Sequence, residues 1–347
     1  MVLSIEGPKS KFNYTREGEG MKYCNLKIIF ISLFFSIFSA NAFDVGVGIH
    51  LSSYKGSNTN YVNLIKKYGF NSVRLDYHWS DVERTPGQYQ SANSKLDSFI
   101  KTASSMGIKP LVIFDYGNKI YGGGKPITPE QRKAFANYAV WTVKHLSPSV
   151  NTFEIWNEWH LEKPRTHSQS QESAEQYVML VKEVYSAIKK ASPATIVIAG
   201  SFNPTKPEEI AWEKKIFNLG FLNYIDGISL HTYNNSFSSY LTPSESLVFV
   251  DKMEHRVKNI SGEYKKIYIT EIGISDHYKN TIPQSDIAKF AFDYYKQAAD
   301  RSYIQGVWWY DFINDGDNKR DGEDNYGILN SDLTEKPIAR SIKNLRE

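Results

Sequence analysis

The chain has 347 residues, enough for one large domain or two small ones. Its 14 % aromatic and 23 % charged content exclude a disordered chain. A net charge of +3, with no basic stripe, excludes a nucleic-acid partner.

Residues 1–20 are polar and precede a good start methionine, Met21, so they are expected to be an extension from a misassigned start. Met21-Lys22 opens a basic segment that includes Lys27, the apolar run IIFISLFFSIF follows from Ile28 to Phe38, and Ala40-Asn41-Ala42 closes it. Charge, short apolar run and small residues in that order predict a secretory signal peptide over 21–42. The apolar run has eleven residues, short of the roughly 20 that span a bilayer. The expectation is therefore an exported protein, periplasmic or secreted, free of the membrane after cleavage. The single cysteine, Cys24, lies inside the signal. A mature domain over 43–347 would have neither a disulfide nor a Cys-ligated metal.

Short β-rich runs follow from Asp44 at regular spacing: 45–50, 71–79, 109–116, 151–159, 195–201, 225–233, 266–275 and 305–312. Between them lie stretches with apolar residues at i, i+3, i+4 and i+7, among them 60–69, 96–107, 129–146, 174–191 and 285–301. Gly69 and Gly107 stand where helices should end. Strand–helix alternation with apolar strands predicts a parallel sheet covered by helices. Eight such units predict an α/β fold, a single-domain (β/α)8 TIM barrel. A doubly wound open sheet is disfavoured, because the first strand runs into His50-Leu-Ser-Ser with no G-x-G-x-x-G.

In such a barrel the active site lies at the C-terminal ends of the strands. Polar residues fall at those ends: His50; Arg74, Asp76, His78 and Trp79; Asp115-Tyr116; Asn157-Glu158; His231 and Tyr233; Glu271; and Trp308-Trp309-Tyr310-Asp311. Two glutamates amid aromatic rings suit glycoside cleavage. One group must protonate a leaving oxygen, and the other must meet an oxocarbenium-like carbon. Flat tryptophan faces suit the C–H faces of sugar rings.

With these residues in order, the chain resembles glycoside hydrolase clan A, the retaining (β/α)8 glycosidases. IWNEW resembles the clan's strand-four Asn-Glu motif, and YITEIG its strand-seven motif. RLDYHWSDVERTPGQY resembles the second-strand segment, HTY the His-x-Tyr of strand six, and WWYDFINDGDNKRDGEDNYGIL the final segment of family 39 and family 5 relatives. The similarity covers residues 44–340 and is nearest to family 39-like and family 5-like enzymes linked to bacterial exopolysaccharides. It implies Glu158 as acid/base, Glu271 as nucleophile, Asn157 on the sugar's 2-hydroxyl, and Arg74 and Tyr233 supporting the nucleophile. His231 is expected beside the nucleophile or on a sugar hydroxyl. Trp309 is expected as the floor under the reacting sugar, with Trp308 pointing the opposite way. His50, His78, Trp79 and Tyr116 are expected in the walls. Trp159, His160, Arg165 and His167 read as loop residues.

The acidic stretch NDGDNKRDGEDN, 314–325, lacks the EF-hand spacing, and the resemblance to clan A implies a plain surface excursion without calcium. The histidines fall on separate strands and no H-E-x-x-H occurs, so no metal is expected, and no cofactor is needed. The expected function is retaining hydrolysis of an exported or extracellular polysaccharide, endo-acting, by a monomer. A transglycosylase with the same site, or a non-catalytic carbohydrate-binding barrel, are the alternatives.

Overall fold

The computed structural model describes residues 43–236 and 238–346. The extension and signal peptide expected over 1–42 lie outside the described residues. Eight parallel strands close a barrel: β1 Asp44–Gly48, β2 Ser72–Asp76, β3 Lys109–Phe114, β4 Thr152–Ile155, β5 Ile196–Phe202, β6 Gly227–His231, β7 Lys266–Ile272 and β8 Ile304–Trp309. Each strand pairs with its sequence neighbours, and β1 closes the ring on β8 with Val47 opposite Trp309. This is the predicted (β/α)8 barrel. Arg74, His231, Glu271, Trp308 and Trp309 stand within the strands, whereas His50, His78, Trp79, Tyr116, Asn157, Glu158 and Tyr233 follow them by two or three residues, where the chain has left the ladder at the barrel mouth.

The longer helices are α1 Asn58–Lys67, α2 Ser94–Ser105, α3 Pro129–Leu146, α4 Gln171–Ala191, α5 Pro207–Asn218, α6 Pro243–Ser261, α7 Gln284–Ala299 and α8 Pro337–Lys343. Local chemistry sets their ends. Thr128 accepts from the Gln131 backbone while the Gln131 side chain accepts from the Thr128 backbone, a reciprocal cap that starts α3 beside Pro129. Ser57, Asn93 and Ser170 cap α1, α2 and α4, which therefore begin two or three residues before their apolar periodicity does. Gly69 and Gly107 take positive φ, 83° and 81°, just past α1 and α2. None of these helices is long and apolar enough to cross a membrane.

Two apolar layers hold the barrel. Inside it, Leu111, Ile198, Tyr268 and Trp308 pack together, and Trp308 Nε1 donates to Ser72 Oγ at 3.0 Å. Outside it, Val47, Val73, Val112, Phe153 and Trp309 meet the helices. Both faces of the strands are thus buried, which is why they read as continuous apolar runs. Each fully buried aliphatic or Phe side chain contributes about 1.5–3 kcal/mol. The mouth, left open by this packing, is where polar side chains can stand.

Candidate active site

Glu271, the last residue but one of β7, is buried, with its side chain 11 % exposed. Three groups hold it. Arg74 Nη1 donates to Oε1 at 2.6 Å, Tyr233 Oη donates to Oε2 at 2.8 Å, and His231 Nδ1 lies 3.5 Å from Oε2. Burial alone would raise the carboxyl's pKa. The His231 and Arg74 charges and the Tyr233 hydroxyl outweigh it and hold the group below its ordinary 4.5. Glu271 is therefore ionised at neutral pH.

Arg74 is itself fixed from behind. Its Nε donates to Glu154 Oε2 at 2.8 Å and its Nη2 to Asn157 Oδ1 at 2.9 Å. Glu154 is fully buried in β4 and also accepts from Ser201 Oγ and Thr270 Oγ1. One planar guanidinium thus joins β2 to β4 and β7, a task that needs its fork of donors.

Glu158 follows β4 with its side chain 31 % exposed. Its φ is +49° and that of Trp156 is +63°. Two left-handed residues flank Asn157, a conformation costing about 1–3 kcal/mol each that functional sites tolerate. The kink turns Glu158 back over the mouth. His231 Nδ1 lies 2.8 Å from Glu158 Oε1, so one imidazole faces both glutamates. Burial opposes charge on that ring, but Glu271 and then Glu158 offset it, and its pKa is raised. A ligand atom from each of Glu158, His231 and Glu271 lies within 4.8 Å of the others.

A cleft of about 790 Å³ opens above this group. His50, Arg74, Tyr116, Asn157, Glu158, Tyr233 and Glu271 line it. Asn157 Nδ2 donates to Tyr116 Oη at 3.1 Å. His78 stands at the edge of an adjoining hollow of about 340 Å³ that shares Ile49, His50, Leu75 and Asp76 with the cleft. His78 stacks on Tyr116, with ring centroids 5.9 Å apart, and its hydrogen bond to Asp115 raises its pKa to about 9.

The expected floor residue, Trp309, and one expected wall residue, Trp79, stand elsewhere. Trp309 is 1 % exposed and points outward to Phe290 of α7, with ring centroids 6.4 Å apart. The aromatic ring at that end of the cleft is Tyr310, beyond the strand, with Tyr326 beside it at 5.3 Å. Trp308 does point opposite to Trp309, but into the barrel. Trp79 is also 1 % exposed. It stacks on Tyr121, and its Nε1 donates to Glu83 at 2.7 Å. Trp159 and His160 are buried as well, His160 against Glu209 and Trp212. The acidic stretch 314–325 is not a plain surface excursion, since its Arg320, Gly322 and Glu323 form part of the cleft wall.

Sequence reasoning missed Glu154 and Tyr326, and it placed Tyr310 at the end of the eighth strand without giving its ring a role. For Glu154 a signal was present: a carboxylate inside an apolar strand needs a buried partner. For the tyrosines there was none, because the turn after β8 decides which ring faces the cleft.

The family model Cellulase (glycosyl hydrolase family 5) matches residues 38–311. Among solved structures, a family 39 glycoside hydrolase from Bacteroides cellulosilyticus WH2 is 25 % identical with a TM-score of 0.73, over 88 % of this chain and 64 % of that one. The chain thus spans less than two thirds of that enzyme's length. GH5_18 from Streptomyces cattleya, in complex with GlcNAc, is 15 % identical with a TM-score of 0.66, over 89 % of this chain and 80 % of that one. The exo-β-1,4-mannosidase Op5Man5 from Opitutaceae bacterium strain TAV5 is 16 % identical with a TM-score of 0.62, over 87 % and 59 %. The last two likenesses carry the fold alone. No curated protein matches the chain.

Proposed function

Since the chain belongs to glycosyl hydrolase family 5, a family of O-glycosyl hydrolases, we propose that it cleaves β-glycosidic bonds of a polysaccharide with retention of configuration. Glu271 attacks the anomeric carbon and forms a glycosyl-enzyme, while Glu158 gives its proton to the leaving oxygen. Glu158 then takes a proton from water as the water oxygen bonds the anomeric carbon and displaces Glu271, which releases the sugar and restores both carboxyl groups. The closeness of the two carboxylates carries this reading. Oxygens of Glu158 and Glu271 lie within 4.8 Å. Inverting pairs stand about 6.5–9.5 Å apart to admit a water between them. Their exposures fit the division of labour: the buried, ionised group is the nucleophile, and the more exposed one reaches leaving group and water.

The adjoining hollow past His50 and Asp76 gives room for more than one sugar, which supports endo action. The run Ile28–Phe38 and Ala40-Asn41-Ala42 support export, and hence a polysaccharide outside the cytoplasm as substrate.

The test is a screen of β-linked polysaccharides with the wild type and Glu271→Ala, with products read by mass spectrometry and the first-formed anomer by NMR. Oligosaccharide fragments from the wild type alone, released as the β-anomer, are expected. First release of the α-anomer would refute retention. Absence of cleavage with equal binding by both proteins would point to a carbohydrate-binding barrel. Longer products on adding an acceptor sugar would make the enzyme a transglycosylase.

A further inference from the structure

Closing the barrel places the end of β1 beside the end of β8, and a second polar cluster forms there. His50 Nδ1 lies 2.7 Å from Asp315 Oδ2 and 3.5 Å from Asp311 Oδ2. One ligand atom from each of the three residues lies within 4.8 Å of the others. Asp311 is 1 % exposed, and neither of its carboxyl oxygens has a hydrogen-bond partner among the described residues. The Tyr54 hydroxyl is likewise buried without a partner. It is close enough that the charges of Asp311 and Asp315 add to burial in raising its pKa.

A buried carboxyl without a donor is costly. The imidazole does not meet that need, because its Nδ1 proton serves Asp315 and remains 3.5 Å from Asp311. We propose that His50, Asp311 and Asp315 form a binding site for a divalent cation, Zn2+ in the first place. One imidazole nitrogen with two carboxylates suits Zn2+ better than Ca2+ or Mg2+, which prefer an all-oxygen shell. Ligands about 2.0–2.1 Å from a tetrahedral Zn2+ stand roughly 3.4 Å from one another. The separations of 2.7 and 3.5 Å around His50 Nδ1 bracket that figure. Three protein ligands leave the fourth position to water, which the Tyr54 hydroxyl can meet.

The cation's role is to clasp. It ties the loop 314–325, which carries Arg320 and Glu323 into the cleft wall, to His50 on the opposite side of the β1–β8 seam. It takes no part in bond cleavage, so this site and the glutamate pair stand or fall separately.

The test uses the purified protein stripped with chelator and dialysed separately against Zn2+, Mn2+, Ca2+ and Mg2+. Bound metal is measured by mass spectrometry and affinity by calorimetry. One equivalent of Zn2+ is expected. Its affinity should fall by roughly 100-fold in Asp311→Asn and in Asp315→Asn, at least the loss of an outer-shell partner. Circular dichroism confirms that each variant is folded, and Asp315→Asn, whose side chain is 25 % exposed, tests the site even if Asp311→Asn does not fold. Failure to take up Zn2+, uptake of Ca2+ alone, or uptake unchanged in a folded Asp315→Asn would each overturn the assignment.

Discussion

At the residue scale, the two glutamates are chemically alike and are made different by their neighbours. Glu271 has Arg74, Tyr233 and His231 around it; Glu158 has His231 and solvent. Removing one donor should therefore be visible in a pH profile. Tyr233→Phe takes away a group that lowers the Glu271 pKa. The acid limb of kcat/KM should move to higher pH, and an unmoved limb would sink the idea. The depressed pKa also links to folding. Its stabilisation is present above the ordinary 4.5 and is lost as pH falls through the lower folded value, so Tyr233→Phe should also flatten the acid side of the melting profile. Glu158→Gln should lose roughly 10²–10⁴-fold in rate, and azide should rescue Glu158→Ala by attacking the glycosyl-enzyme in place of water, since it needs no general base. The residue's left-handed backbone gives a further test. Glycine normally melts below alanine, yet Glu158→Gly should melt above Glu158→Ala, because only glycine relaxes at φ +49°. Much of this constellation was legible. Asn157, Glu158, Glu271, Arg74, His231 and Tyr233 all stand at strand ends, and the structure brings them into one network. The side-chain distances that set their ionisation were not legible, because they depend on residues far apart in sequence.

At the element scale, the strands were easier to place than the direction of their side chains. A strand buried on both faces gives no polar residue to fix the parity. For this reason Trp309 was expected in the cleft, and the fold sends it outward to α7. Helices α5 and α6 were not among the sequence candidates either. The irregularly spaced apolar residues of α5 left weak periodicity, and tertiary packing, with Trp212 fully buried, decides its place. The parity of β1 gives a stability prediction. A Cβ on Gly46 would stand 2.3 Å from the Trp308 ring inside the barrel. Gly46→Ala should cost about 1–3 kcal/mol by overpacking, read as a lower denaturation midpoint with an unchanged m-value. Arg74→Ala should cost more, about 3–5 kcal/mol, because Glu154 would remain buried without its counter-charge. Arg74→Lys should keep part of that stability but lose rate, since one ammonium cannot reach Glu154, Glu271 and Asn157 together.

At the scale of the whole molecule, ring closure does what no local stretch of sequence can. It brings β1 to β8, so that His50 meets Asp311 and Asp315 from the other end of the described chain. Histidines scattered over separate strands seemed a reason to expect no metal; the closed ring removes that reason. The same seam governs how the protein is made. The first stave of the ring waits for the last, so a growing chain has an open sheet edge until β8 has been synthesised. If the protein is exported as proposed, this delay is useful. A chain threaded through a translocation channel must stay unfolded, and a fold that cannot lock until its final strand arrives gives the export machinery time to act.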